Sequence, residues 1–323
     1  KITLKDGSFK EYEGSMSVLD ITKDISEGLA RVATSARVNG EVVDLRHVVD
    51  EDCELEILTF DNEEGKGAFW HTTSHIMAQA IKRLYPDTKL AIGPSIENGF
   101  YYDVDRETPF AAEDLEKIEK EMKKICKEGK KIYRREVSKA EAMEMFKDDM
   151  YKLDLISNLE DGNITVYDQG DFTDLCRGPH VDNTKLCKNF KLVKHSGVYW
   201  KGDANNHVMQ RIYGVCFPTA EELEAHLKEL EEAKERDHRK IGKEMELFMT
   251  DDLVGRGLPM FLPKGYTVWQ ELENYIKDKE RRLGYLHVMT PCVGTVNLYK
   301  TSGHWDHYRE TVSYTHLTLP TIR

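Results

Sequence analysis

Two turn dipeptides set the first constraint on this chain. Asp6-Gly7 and Asn39-Gly40 each sit between short runs of alternating apolar and polar residues. Such dipeptides close tight antiparallel hairpins, because Gly, Asn and Asp tolerate the left-handed backbone those turns need. Ile2 and Leu4 alternate with Thr3 and Lys5 ahead of the first turn, and the strand-like run 9–12 follows it. Val38 and Val42 flank the second turn. Between the two, Leu19, Ile25, Leu29 and Val32 recur near helical spacing, which predicts a helix over 18–32. Residues 55–58 predict a closing strand. Hairpin, helix, hairpin is the order of a ubiquitin-like β-grasp, expected over residues 1–61. The polar, glycine-containing run 61–67 is expected to be a boundary.

A length of 323 residues implies two or three domains at roughly 100–200 residues each. The next domain, α+β, is expected over 62–217. It contains a helix over 68–85 and another over 114–128, with Leu115, Ile118, Met122 and Ile125 on one stripe and Gly129 as C-cap. Thr219 and Glu222 make a capping box that opens a charged linker helix over 218–245. Residues 268–283 predict a helix, and 285–289 a strand stopped by Pro291.

Composition excludes several classes of function. No run of 18 apolar residues occurs, so no membrane-spanning helix is expected. Six irregularly spaced cysteines without a CxxC do not make a disulfide framework and point to a reducing, cytoplasmic compartment. A net charge of −12 gives no chain-wide basis for binding nucleic acid, so any RNA contact needs a local basic surface. P-loop, GxGxxG and GxSxG patterns are absent. The sequence opens on Lys1 with no signal-like segment, so it is expected to begin inside a longer product.

Two separated pairs carry the chemistry. His71 and His75 stand four apart on the helix over 68–85, so their side chains are neighbours. Phe69, Trp70, Ile76, Met77, Ala80, Ile81 and Leu84 cluster on the opposite face, which predicts that the histidines avoid the helix's own core. About a hundred residues on, Gly178-Pro179 prevents a helix and places Cys176 and His180 on a turn. His71, His75, Cys176 and His180 form a zinc-ligand inventory, and equally an inventory for activating water. The HExxH pattern fails, since Thr72 follows His71. A closed four-ligand zinc site would be structural, whereas a hydrolytic one keeps a position open for water. A solvated histidine face is the plain alternative.

The stretches His71-Thr72-Thr73-Ser74-His75 and Cys176-Arg177-Gly178-Pro179-His180 resemble the HxxxH and CxxxH motifs of the editing domain shared by threonyl- and alanyl-tRNA synthetases. Asn98-Gly99-Phe100-Tyr101-Tyr102-Asp103, Tyr199-Trp200-Lys201-Gly202-Asp203 and Gln210-Arg211-Ile212-Tyr213-Gly214 resemble the threonyl branch of that family. So do the β-grasp start, a TGS domain there, and Arg236-Asp237-His238-Arg239-Lys240. The likeness runs to about residue 310. Residues 246–311 resemble the opening of a class II catalytic domain, with motif 1 in the helix over 268–283 and its following strand. Residues 312–323 depart from the family and are expected to be a foreign tail on a truncated frame.

The resemblance implies ATP-dependent joining of threonine to tRNA(Thr) by a homodimeric, cytoplasmic enzyme that uses ATP with Mg2+ and one Zn2+. It also implies hydrolytic editing of seryl-tRNA(Thr), because one methyl distinguishes serine from threonine and is worth only about 1–3 kcal/mol of discrimination. The motif 2 and motif 3 arginines and the synthetic-site zinc ligands do not occur in these residues, so the editing half is the part expected here. Within it, the resemblance assigns Lys152 to the oxyanion or the water and Asp174 to the substrate ammonium. His71 is a general base by its chemistry, Cys176 a nucleophile or a pocket wall, and Arg177 a phosphate contact. Two other classes stand beside this reading: a free-standing trans-editing deacylase, and a non-catalytic zinc- and tRNA-binding module.

Overall fold

The structure, a computed structural model, describes residues 1–308 except Arg256 and Val293. The chain divides into two compact units, Lys1–Glu232 and the residues from Ala233 on.

The first unit opens with β1 (Ile2–Leu4) and β2 (Phe9–Lys10), then β3 (Met16–Ser17), α1 (Val18–Ile25), α2 (Glu27–Val32), β4 (Ala33–Val38), β5 (Glu41–Val43), β6 (Val48–Val49) and β7 (Cys53–Thr59). The main sheet runs β2-β1-β7-β4-β5, with β1 and β7 parallel and the other pairs antiparallel. Asn39 and Gly40 take φ of 48° and 90° in the β4–β5 turn, as a two-residue hairpin requires. Val18, Ile21, Ala36, Leu45 and Leu55 form the core between helices and sheet, so the β-grasp expectation holds. The single helix expected over 18–32 is two helices. Ser26, at φ −163°, gives its backbone N–H to Thr22 O and ends the first. Its hydroxyl oxygen accepts from the Leu29 N–H and starts the second, so a cap outcompetes one more helical turn.

α3 (Glu63–Leu84) follows at once. The run 61–67 is therefore helical from Glu63, although its glycines read as breakers. A Cβ on Gly65 would lie 2.0 Å from Thr59 O, so this glycine serves a close approach of helix to strand. α3 is buried nearly all round, contrary to the two-faced helix expected: Thr72, Thr73 and Ser74 are fully buried and His75 is 3% exposed. The hydroxyls of Thr72 and Thr73 donate to the Ala68 and Phe69 carbonyls one turn back, and Ser74 donates to His71 O and Gly93 O. Polar residues can line a central helix when their hydroxyls are satisfied this way.

Around α3 come β8 (Lys89–Leu90), β9 (Ser95–Ile96), β10 (Gly99–Asp105), α4 (Ala112–Glu128), β11 (Ile132–Val137), α5 (Lys139–Met145), α6 (Met150–Ser157), β12 (Ile164–Gln169), β13 (Phe172–Leu175), β14 (Asn189–Tyr199) and β15 (Val208–Phe217). The larger sheet runs β14-β15-β10-β8, with β9 beside β10, and the smaller runs β11-β12-β13. α3 and α4 pack with the larger sheet through Ile76, Met77, Ile81, Phe100, Ile118 and Met122. Gly129 ends α4 in left-handed backbone at φ 61°, as expected.

α7 (Ala220–Glu235) begins at the Thr219–Glu222 capping box and buries none of its residues. The linker expected as one helix over 218–245 breaks after Glu235, because Asp237 caps a separate α8 (His238–Glu244) with its carboxylate on the Arg239 N–H. The second unit also contains β16 (Phe248–Met249) and β17 (Met260–Phe261), which pair, then α9 (Pro263–Arg282), α10 (Val296–Thr301) and α11 (His304–Tyr308). The strand expected over 285–289 does not form. Leu286, Val288 and Met289 are 84–99% exposed, and no strand among the described residues pairs with them. A strand needs a neighbour for its backbone groups. The expected foreign tail over 312–323 lies outside the described residues.

Candidate active site

The two pairs meet. α3 presents His71 and His75, and the turn after β13 presents Cys176 and His180, with one ligand-type atom from each lying within 4.8 Å of all the others. Cys176 Sγ is 3.2 Å from His71 Nε2 and 3.2 Å from His180 Nε2. Ring centroids stand 4.4 Å apart for His71 and His180 and 4.3 Å for His75 and His180. The turn is held tightly. Gly178, at φ 76°, lies under Tyr167, whose hydroxyl oxygen would sit 1.9 Å from a Cβ. Its N–H donates to Cys176 Sγ.

His180 is oriented by Thr72. The Thr72 oxygen accepts from the Val181 N–H at 3.0 Å and lies 3.1 Å from His180 Nδ1, while its proton goes to Ala68 O at 2.7 Å. Giving the proton to that shorter contact makes His180 the Nδ1–H tautomer and leaves its Nε2 lone pair toward Cys176.

Burial governs the electrostatics. It pushes His71 down to about 4, helped by the Lys152 ammonium and opposed by Asp174. It holds His75 and His180 well below the usual imidazole range. All three are therefore neutral near pH 7, with lone pairs free to take a proton or a metal. Burial pushes the Cys176 thiol up to about 12, so it carries almost no thiolate at neutral pH. That weighs against a nucleophile and suits a pocket wall.

Beside this cluster lies a fully packed charged group. Lys152, on α6, is 3% exposed, and Asp174, on β13, is 2% exposed by side chain. Lys152 Nζ is 2.5 Å from Asp174 Oδ1 and donates to Tyr102 Oη at 3.1 Å. The Tyr102 hydroxyl donates to Asp174 Oδ2 at 2.5 Å, and His75 Nε2 stands 3.6 Å from the same oxygen. Asp174 Oδ1 also accepts the Leu175 N–H. The carboxylate assigned by resemblance to a substrate ammonium is thus already shared between a lysine and a tyrosine. A cavity of about 460 Å3 opens on His71, His75, Tyr102, Lys152, Asp174 and Cys176. His180 stands behind it, and the exposed Arg177 lies at its rim. Tyr102 and Thr72 were not singled out from the sequence as site residues. Tyr102 falls within the run 98–103, and only its distance to Asp174 marks it.

Neutral buried histidines make a stability prediction. The unfolded imidazole takes a proton below about 6.5, while the folded one resists it down to about 4 for His71. The unfolded state binds more protons across that window, so stability falls as pH drops from about 6.5 toward 4. Each such group contributes up to about 1.4 kcal/mol per pH unit. Metal-free protein should show a steep fall in unfolding midpoint between pH 7 and pH 5. A midpoint that stays level over that range would count against the buried, neutral cluster.

Residues 1–59 match the TGS domain, and residues 164–213 match the threonyl and alanyl tRNA synthetase second additional domain. The second of these stretches is thus similar to an accessory domain of aminoacyl-tRNA synthetases. Threonine–tRNA ligases are similar over nearly the whole of this chain. That of Clostridium perfringens is 53% identical over 311 residues, 96% of this chain and 48% of the relative. That of Clostridioides difficile is 54% identical over 315 residues, 97% of this chain and 49% of the relative. That of Anoxybacillus flavithermus is 51% identical over 313 residues, 96% and 49% respectively. Across the residues it spans, the chain is similar to threonine–tRNA ligases, and it spans about half the length of these relatives.

Proposed function

We propose that residues 62–217 form a hydrolytic editing domain that removes serine from seryl-tRNA(Thr), within a protein that joins threonine to tRNA(Thr). The observation that carries this reading is the single cavity onto which His71, His75, Lys152 and Cys176 converge. Ester hydrolysis needs a placed water, a group to take its proton and donors for the tetrahedral oxyanion. His71, neutral and half-buried at the cavity, takes the proton. Lys152 has one N–H directed to Asp174 and one to Tyr102, which leaves a third for the oxyanion. Asp174 holds that lysine in place instead of contacting the substrate. Arg177 at the rim meets a tRNA phosphate. The ligation half of the reading rests on the relatives' name, and its ATP, Mg2+, synthetic-site Zn2+, homodimer through motif 1 and cytoplasmic setting rest on the family resemblance.

A second reading has its own support. Sulfur-to-nitrogen distances of 3.2 Å in a group spanning 4.8 Å suit ligands about 2.0–2.3 Å from a zinc ion. His71, His75, Cys176 and His180 would hold it, with Thr72 orienting His180. Bound there, zinc would supply Lewis acidity to a water or, fully ligated, structure alone.

Release of labelled serine from mischarged tRNA tests both readings. The expected result is release of serine, sparing of threonyl-tRNA, and the same rate with and without a chelator. Release abolished by the chelator would favour zinc. No release by folded protein at saturating tRNA would defeat the editing assignment.

A further inference from the structure

Among the described residues, a carboxylate of the β-grasp module touches the His180 turn from outside the editing domain. Asp44 directly follows β5. Its Oδ1 accepts the His180 backbone N–H at 2.6 Å, and its Oδ2 accepts the Tyr167 hydroxyl at 2.6 Å. Tyr167 in turn packs against the His180 ring, with centroids 4.4 Å apart, and covers Gly178. One side chain therefore grips the turn by its backbone and by the ring that lies on it. Both bonds bury a carboxylate: desolvation shifts Asp44 upward, opposed by these two donors. A buried carboxylate with two donors, placed across a domain junction, is costly unless the geometry is kept.

A second tie joins the same modules and makes a control possible. Arg46 Nη2 stands 2.5 Å from Asp182 Oδ1, an ion pair by distance without a hydrogen bond's alignment. Its partners are Asp182, two residues past His180, and the ring of Tyr133.

We infer that Asp44 is a positioning residue of the editing site, through which the β-grasp module sets the placement of His180 and Cys176. The inference rests on the editing reading above for its effect on rate, but not for its geometry. Without Asp44 the His180 N–H and the Tyr167 hydroxyl lose their acceptor, and the turn is free to relax away from His71. The chemical step then slows, while tRNA encounter does not change.

The test uses the whole chain with Asp44→Ala, Asp44→Asn and Arg46→Ala. Single-turnover serine release at saturating tRNA should fall at least tenfold in Asp44→Ala, with half-saturation unchanged. Asp44→Asn, which keeps a carbonyl acceptor, should recover most of the rate. Arg46→Ala should stay within about twofold in rate. A second readout does not need activity: the His180 amide proton resonance should move upfield in Asp44→Ala and stay in place in Arg46→Ala. Equal slowing in Asp44→Ala and Arg46→Ala would mean mere docking of modules and overturn the inference. So would an unmoved His180 amide, or an unchanged rate in Asp44→Ala. If the unaltered chain releases no serine, the editing reading fails, and the amide shift alone still decides whether Asp44 places the turn. If Asp44→Ala does not fold, Asp44→Ser, too short to accept from both donors, is read against Arg46→Ala by the same rate and amide criteria.

Discussion

Replacing His71 with alanine slows serine release from mischarged tRNA by about 10²–10⁴-fold, the usual worth of a general base. Of the three clustered histidines it is the least buried, and it lines the cavity directly. Its position near 4 keeps it unprotonated at neutral pH, so the accepting form is always present. Replacing Cys176 with alanine has a smaller effect, because a thiol pushed up to about 12 supplies almost no nucleophilic thiolate. Comparable losses in both variants, together with lost zinc on elemental analysis, would mean that the two act as ligands. An unaffected rate in His71→Ala would remove it as the base and leave His75.

Replacing Lys152 with methionine destabilises the fold by about 3–5 kcal/mol, the range for stranding one partner of a buried pair. Asp174 would remain deep in the protein with only Tyr102, the Leu175 N–H and a distant His75 around it. A companion Asp174→Leu change removes the stranded charge, so the double variant should recover much of the loss. Denaturant titrations of both variants check this. If Lys152→Met unfolds at the same midpoint as the parent chain, the pair does not hold the site. If the double variant is as unstable as the single, lost packing, not a stranded charge, is the cause. The same variant should lose editing beyond its loss of stability, since Lys152 also faces the cavity.

Local features were legible where local chemistry decides them. Asn39-Gly40 dictates its hairpin, because few other pairs tolerate two successive left-handed residues. Gly129 ends α4 for the same reason. The spacing of His71 with His75, and the turn forced at Gly178-Pro179, made the two pairs recognisable as candidates. Serine and aspartate caps at Ser26 and Asp237 split two helices that periodicity alone joins, since one hydrogen bond to an end N–H outweighs an extra turn. His75 has no solvent face, because α3 is enclosed on nearly all sides. Periodicity reports what a helix could shed to solvent, not what other elements bring against it.

Only the tertiary structure decided what the site contains. Tyr102, Thr72 and Asp44 join the cluster through partners 72, 108 and 136 residues away in the chain. No spacing rule reaches that far. The sequence by itself determined the residue types and the turns that can bear the chemistry. Which carboxylate holds Lys152, which hydroxyl sets the His180 tautomer and which histidines are driven neutral follow from burial. Burial is a property of the packed whole, because desolvation depends on every element that excludes water from a group and not on its neighbours in sequence.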